Sequence, residues 1–347
     1  MKVLHVLQSN RISGAENVVG DICMMLVDEY EMAYCSPEGP IRKALEDRKV
    51  KFKAMKSLNF FELNRVLKEY KPDLIHAHDV QATVLSVVCS FNKIPVISHL
   101  HGNMEDMRKI GLKSFLYMLA NKRTKKIITV SEGCLDDYVF KNEISRKTIL
   151  LKNIIYKERI NGLINKDPKE YDFDFVYVGR LSYQKNPERI AEVASKILKI
   201  CKNAKFGVIG NGEFKKNMEI IFERHNVEDR VIFTGSLEYP YKALGQSKCL
   251  LMCSRFEGTP IAALEAMVLG VPIVSTPADG MNNLVENGVT GYLAEKDEVL
   301  IEKVVNLITC TKQQKEMSNN SKIKVNNMMN ENQYKQTVMN LYREIFK

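Results

Sequence analysis

Short apolar runs of strand length recur along the chain with amphipathic helical sequence between them, and this alternation restricts the fold more than any other feature. In the first half the runs fall at residues 2–7, 31–35, 74–78, 96–99, 126–130 and 148–151. In the second half they fall at 173–178, 205–209, 231–233, 249–253 and 272–275. Strands that alternate with helices pair in parallel, because each return path runs through a helix lying on one face of the sheet. Two such series predict two doubly wound α/β domains. Polar, poorly periodic sequence from Asn153 to Asp174 is the expected connection between them. Ligands of open parallel sheets bind beyond the carboxyl ends of the strands. The chemistry is therefore expected in the loops that follow these runs.

The most informative loop follows Cys249-Leu250-Leu251-Met252-Cys253-Ser254 and reads Arg255-Phe256-Glu257-Gly258-Thr259-Pro260-Ile261-Ala262-Ala263-Leu264-Glu265. Thr259 suits a helix N-cap and Pro260 the first helical position, where a missing N–H costs nothing. The free N–H groups and the positive end of the helix dipole make an anion-binding corner. Glu257 stands at its mouth. Glu265 lies further along, one to two turns inside at roughly 1.5 Å per residue. Two carboxylates spaced along a corner that attracts phosphate suit a sugar nucleotide, one for sugar hydroxyls and one for ribose hydroxyls. A second loop, Gly179-Arg180-Leu181-Ser182-Tyr183-Gln184-Lys185-Asn186, supplies cations. Arg180 offers a bidentate fork and Lys185 a point charge to a diphosphate.

The Glu-x7-Glu spacing in SRFEGTPIAALEAMVLGVPIVST resembles glycosyltransferase family 4, and VGRLSYQK is similar to that family's G-R-L…K segment. The resemblance covers nearly the whole chain, most specifically residues 178–185 and 251–291. It implies the GT-B architecture: an α/β protein with two Rossmann-like parallel-sheet domains facing a central cleft. The expected domains are 1–160 for the acceptor, 161–330 for the nucleotide sugar, and a C-terminal helix at 331–347 that crosses back to the first domain. The resemblance implies a retaining hexosyltransferase-type enzyme that takes a sugar from a nucleoside-diphosphate sugar to a hydroxyl of a glycan or lipid-linked acceptor. Bacterial capsule, exopolysaccharide or lipopolysaccharide synthesis is the expected setting. Glu257 and His101 are the expected catalytic-site residues. Gly258, Thr259, Pro260 and Ile261 are expected at the donor sugar, Glu265 at the ribose, and Arg180 and Lys185 at the diphosphate, with Gly14 closing the donor site from the first domain. No metal and no cofactor are expected. The alternatives are a GT-B-like sugar-nucleotide epimerase or phosphorylase, or a non-catalytic subunit that binds sugar nucleotide.

In the first half, Gln8 to Glu16 opens a helix with one glycine, Gly14, where a dinucleotide fingerprint has three. A nicotinamide site is therefore not expected, although Gly14 permits close backbone approach to a ligand. His76 and His78 point the same way on a strand. A pair with no evident third ligand reads as packed or acceptor-side histidines rather than a metal site. His101 precedes Gly102 at the end of the next strand, where an imidazole can act as acid, base or donor.

Composition bounds the rest. The chain has 347 residues, 45% hydrophobic and 27% charged, enough for two soluble domains. No run approaches the ~18 apolar residues of a membrane span, and the first residues read as a strand rather than a signal peptide, so a cytoplasmic location is expected. The eight cysteines contain no C-x-x-C and sit mostly in apolar runs, as reduced core residues would. The formal charge is +9, and residues 1–165 hold +7 of it. The stretch from Arg108 to Lys126 carries seven basic residues and no acidic one. Within it Leu112, Phe115, Leu116 and Leu119 form a helical stripe, which either packs on the core or lies on an anionic membrane, on the inner face of the cell membrane. No aromatic platform interleaves these charges, so nucleic acid is not an expected partner.

Overall fold

The computed structural model describes residues 1–102, 107–136, 138–257 and 260–346. The chain divides into two compact units, Met1–Tyr156 with Glu331–Lys347, and Lys157–Asn330. Every strand pairing among the described residues is parallel, in two sheets.

In the first unit the strands are β1 Lys2–Val6, β2 Glu31–Pro37, β3 Phe52–Met55, β4 Leu74–His78, β5 Val96–Leu100, β6 Lys126–Thr129 and β7 Thr148–Leu150, in the order β3-β2-β1-β4-β5-β6-β7. The order reverses at β1, which lies between β2 and β4. Leu4, Val6, Ile75 and Ala77 point to one face, where Leu63, Val66 and Leu67 of the helix Phe60–Tyr70 cover them. Alternation sends His5, His76 and His78 to the other face. Register completes that row, because His5 lies opposite His76 and His78 opposite His99. The helix Glu331–Ile345 belongs to this unit and buries Tyr334, Val338, Leu341 and Tyr342. Its Tyr342 hydroxyl lies 2.8 Å from His76 Nδ1.

The second unit holds β8 Phe175–Val178, β9 Phe206–Ile209, β10 Val231–Gly235, β11 Cys249–Met252, β12 Ile273–Ser275 and β13 Gly291–Leu293, in the order β10-β9-β8-β11-β12-β13. Here the order reverses at β8, between β9 and β11. Phe175 stacks on Phe206 with ring centroids 4.5 Å apart. The helix Pro187–Ile200 lays Ile190, Val193, Ala194 and Ile197 on this core. Each large apolar side chain so buried contributes about 1.5–3 kcal/mol relative to exposure. Asn186 caps that helix in the left-handed region at φ 55°, and Pro187 follows at the first turn. The loops after β8 and β9 cross so closely that a Cβ on Gly210, at φ 147°, would stand 1.9 Å from the Gly179 carbonyl oxygen. Only glycine fits there.

Three local features depart from the sequence reading. β3 and β13 are edge strands of four and three residues that the apolar pattern does not mark. The expected linker contains a helix, Lys157–Leu163, that buries Arg159, Ile160 and Leu163. The helix expected from Pro260 begins at Ile261, because Pro260 itself caps it in an extended conformation and accepts from Ala263 and Leu264.

Candidate active site

The two reversal points gather the expected residues into two separate corners, one in each unit. In the second unit Arg180 and Lys185 lie on the loop after β8, and Glu257 on the loop after its neighbour β11. Lys185 Nζ is 2.5 Å from Glu257 Oε1, and Ser254 Oγ donates to the same oxygen at 2.6 Å. Glu257 is 4% exposed and the Lys185 side chain 20%. The loop is fixed from both sides. Gln184 Nε2 donates to the Phe256 carbonyl at 3.1 Å, the Arg255 N–H donates to the Gln184 carbonyl at 2.9 Å, and the Gly280 N–H donates to the Glu257 carbonyl at 2.9 Å. Arg255 also lies over the Tyr183 ring at 4.1 Å. Arg180 is exposed, with its own carbonyl accepting from the Tyr177 hydroxyl. Gly258 and Thr259 lie outside the described residues.

Glu265 lies on the helix Ile261–Leu269, buried at 4%. Arg159 Nη1 donates to Glu265 Oε1 at 3.0 Å and also to the Tyr241 hydroxyl. The Arg159 side chain is fully buried. An ion pair of this kind holds the carboxylate in one rotamer, and loss of either partner removes the other's counter-charge.

In the first unit Gly14 opens the helix Gly14–Met25 after β1, with Ser13 at the cap and its hydroxyl bonded to Glu16. Beside it, at the carboxyl ends of β4 and β5, stand the histidines. His78 Nε2 is 3.0 Å from His5 Nδ1, and His78 Nδ1 is 2.9 Å from His101 Nε2. His99 stacks on His101 with centroids 4.2 Å apart. The Asp79 carboxylate accepts from the His101 backbone N–H at 3.1 Å.

Two family models match this chain. The one described as Glycosyltransferase Family 4 covers residues 12–155, and the one described as Glycosyl transferases group 1 covers 162–324.

The chain belongs to glycosyltransferase family 4.

Among its relatives is the Escherichia coli UDP-Gal:alpha-D-GlcNAc-diphosphoundecaprenol alpha-1,3-galactosyltransferase, 27% identical over 335 residues, which are 86% of this chain and 85% of that protein. The lipopolysaccharide 1,6-galactosyltransferase of Escherichia coli K12 is 24% identical over 68% of this chain and 65% of its own length. The crystal structure of Anabaena HepE in complex with UDP and glucose superposes with a TM-score of 0.82 at 20% identity, covering 99% of this chain and all of that one. The enzyme thus has the GT-B plan of two Rossmann-like units.

Electrostatics in the glycosyltransferase's first unit follow from burial. Desolvation pushes His5 down to about 3, with the nearby His101 adding to the shift. Burial likewise holds His76, His78 and His99 well below the ordinary imidazole range, and neighbouring histidines push the same way. His101 is lowered by burial against the opposing pull of Asp79. Five neutral rings result, each with one donor and one acceptor nitrogen.

Sequence reasoning missed two participants. Arg159 fell in the expected linker, although Ile160 and Leu163 three residues apart mark a buried helical face. His5 was read only as part of a strand, yet it belongs to the histidine row, which gives His76 and His78 the third neighbour that the sequence did not offer. The formal D-x-D at Asp172 and Asp174 lies at the amino end of β8. There Lys205 pairs with Asp172 and Lys248 with Asp174, each at 2.7 Å.

Proposed function

We propose that the enzyme transfers a sugar, with retention and without a metal at the diphosphate, from a nucleoside-diphosphate sugar to a hydroxyl of a glycan or lipid-linked acceptor in bacterial capsule, exopolysaccharide or lipopolysaccharide synthesis. The Lys185–Glu257 pair at the carboxyl ends of β8 and β11 carries this reading. A diphosphate arriving at that corner offers Lys185 a second anion, and Glu257 is then released to accept from sugar hydroxyls. Arg180 is the second cation, and both stabilise the leaving diphosphate as charge develops. Pro260 and Ile261, with Gly258 and Thr259 that lie outside the described residues, are assigned to the donor sugar, and Glu265 to the ribose. In the first unit, Gly14 and His101 are the residues assigned to the reaction. Transfer then rests on positioning and charge stabilisation rather than on a covalent nucleophile. The UDP-Gal in a relative's name and the UDP bound to HepE support uracil as the base.

The basic stretch supports a location on the inner face of the cell membrane. In the helix Leu112–Asn121 the inward side is Ser114, Tyr117, Ala120 and Asn121. Leu112, Phe115, Leu116 and Leu119 face solvent, together with Ile110 and beside Lys122, Arg123 and Lys125. No helix among the described residues is long and apolar enough to cross a membrane. An exposed apolar stripe flanked by cations suits the surface of an anionic bilayer, where a lipid-linked acceptor resides.

Calorimetric titration with a panel of nucleoside-diphosphate sugars tests the reading, with Arg180→Ala and Glu265→Gln run alongside the wild type. One donor bound by the wild type and weakened about tenfold or more by each substitution supports it. Equal affinity in all three proteins removes the donor site as drawn. The anomeric configuration of the product, read by NMR, tests retention.

A further inference from the structure

The histidine row leaves five buried ring nitrogens without a hydrogen-bond partner among the described residues: His5 Nε2, His76 Nε2, His99 Nδ1, His99 Nε2 and His101 Nδ1. An unsatisfied buried polar atom costs about 1–3 kcal/mol. Valine or leucine at these strand positions would carry no such cost, and buried parallel strands are normally built from them. The cost is met when a shared partner engages several lone pairs at once.

We propose that His78, His99 and His101 form a three-imidazole site for a divalent transition-metal ion of the zinc class. Their ligand atoms lie within 4.8 Å of one another. Tetrahedral zinc holds its nitrogens roughly 3.3 Å apart, so the rings close on an ion by swinging inward under about 1 Å. His99 is fully buried and has both nitrogens to offer. His101 is partly exposed and provides the way in. Asp79, whose carboxylate holds the His101 backbone, brings a negative charge next to the ligand set. The other close trio, His5, His76 and His78, is a poorer host. All three are fully buried, and none offers the part-exposed ring that His101 gives the first trio. Three imidazoles without thiolate favour zinc, cobalt, nickel or copper over magnesium or calcium. The fourth position stays open to water or to a substrate oxygen.

The site shares His101 with the proposed function, but the diphosphate ligands Arg180 and Lys185 belong to the second unit, so ion binding is measured without any donor. With the ion bound, His101 acts by holding it rather than by moving a proton.

The test uses full-length, tag-free protein stripped with EDTA and titrated with Zn2+ or Co2+, with Mg2+ as the control ion. The expected result is one zinc per chain, a four-coordinate cobalt visible spectrum, and affinity reduced at least about 100-fold in His99→Phe. His76→Phe, outside the trio, should bind zinc within about threefold of wild type. No stoichiometric zinc, zinc retained by His99→Phe, or zinc lost only in His76→Phe would each overturn the assignment. X-ray absorption of the zinc-loaded wild type, which requires no variant to fold, should count three imidazoles, and fewer than two rejects the site.

Discussion

Lys185 Nζ and Glu257 Oε1 lie 2.5 Å apart across the loops that leave β8 and β11, with Ser254 donating to the same oxygen. Arg180 and Arg255 lie on the same two loops, and the pair should couple folding to ligand binding. Lys185→Met leaves Glu257 buried with only the Ser254 hydroxyl among the described residues. It should lower stability and weaken donor binding about tenfold or more. Adding Glu257→Gln should restore part of the stability, with a coupling of about 1–3 kcal/mol, while transfer stays lost. Urea unfolding and donor titration of the two single variants and the double variant decide this; additive stabilities would refute the coupling.

Arg159 and Glu265 make a deeper pair. Arg159→Met removes the counter-ion of a buried carboxylate and should cost about 3–5 kcal/mol. Arg159→Met with Glu265→Leu should recover most of that stability, because well-packed apolar groups replace a buried pair at little cost. Donor affinity should not return if Glu265 holds the ribose. Thermal unfolding and calorimetry read the two effects separately.

Alkaline pH should act through the buried thiols. Burial pushes Cys35 and Cys253 up to about 12 and Cys89 up to about 11. A folded value raised above the unfolded one contributes stability that is full below about 9 and is lost as pH rises toward 11–12. Stability should therefore decline above pH 9. At pH 8, iodoacetamide should modify the exposed Cys310 well before the buried cysteines, which should react only on unfolding. Mass spectrometry of the alkylated native protein checks the order, and early modification of Cys35 or Cys253 would contradict it.

The helix Leu112–Asn121 gives a surface prediction. Replacing Lys122, Arg123, Lys125 and Lys126 with Gln should remove up to about 4 kcal/mol of attraction to anionic vesicles, at about 1 kcal/mol per residue. Binding should fall by two to three orders of magnitude. Folding should be little changed, since these side chains are exposed or part-exposed. Vesicle sedimentation checks it, and unchanged binding would leave the patch an ordinary solvated face.

The alternation of strand runs and helices made both sheets legible because buried parallel strands are apolar throughout, as Leu250 and Leu251 of β11 illustrate. β3 was hidden because an edge strand with Lys53 and only Met55 buried carries no such signal. β13 was hidden because three residues are too few. The Arg180, Lys185 and Glu257 corner was legible because loops at a switch point carry local motifs. The Arg159 partner of Glu265 was not, because a pair separated by 106 residues leaves no local trace. Helical periodicity located the stripe of Leu112, Phe115, Leu116 and Leu119 but not its direction. The inward face is instead held by polar groups, including the Tyr117 hydroxyl 2.9 Å from Ser98 Oγ.

The contact between His76 and Tyr342 joins β4 to a helix made after the whole second unit. On a ribosome adding roughly 5–20 residues per second, the first sheet waits on the order of 10–30 s, about 175 residues of synthesis, for the piece that covers its histidine row. During that interval the nascent first unit exposes one flank of its core. A chain stopped at Asn330 should remain in that state, cut rapidly in limited proteolysis while the second unit resists. The helix Glu331–Ile345 thus decides when the first domain is finished.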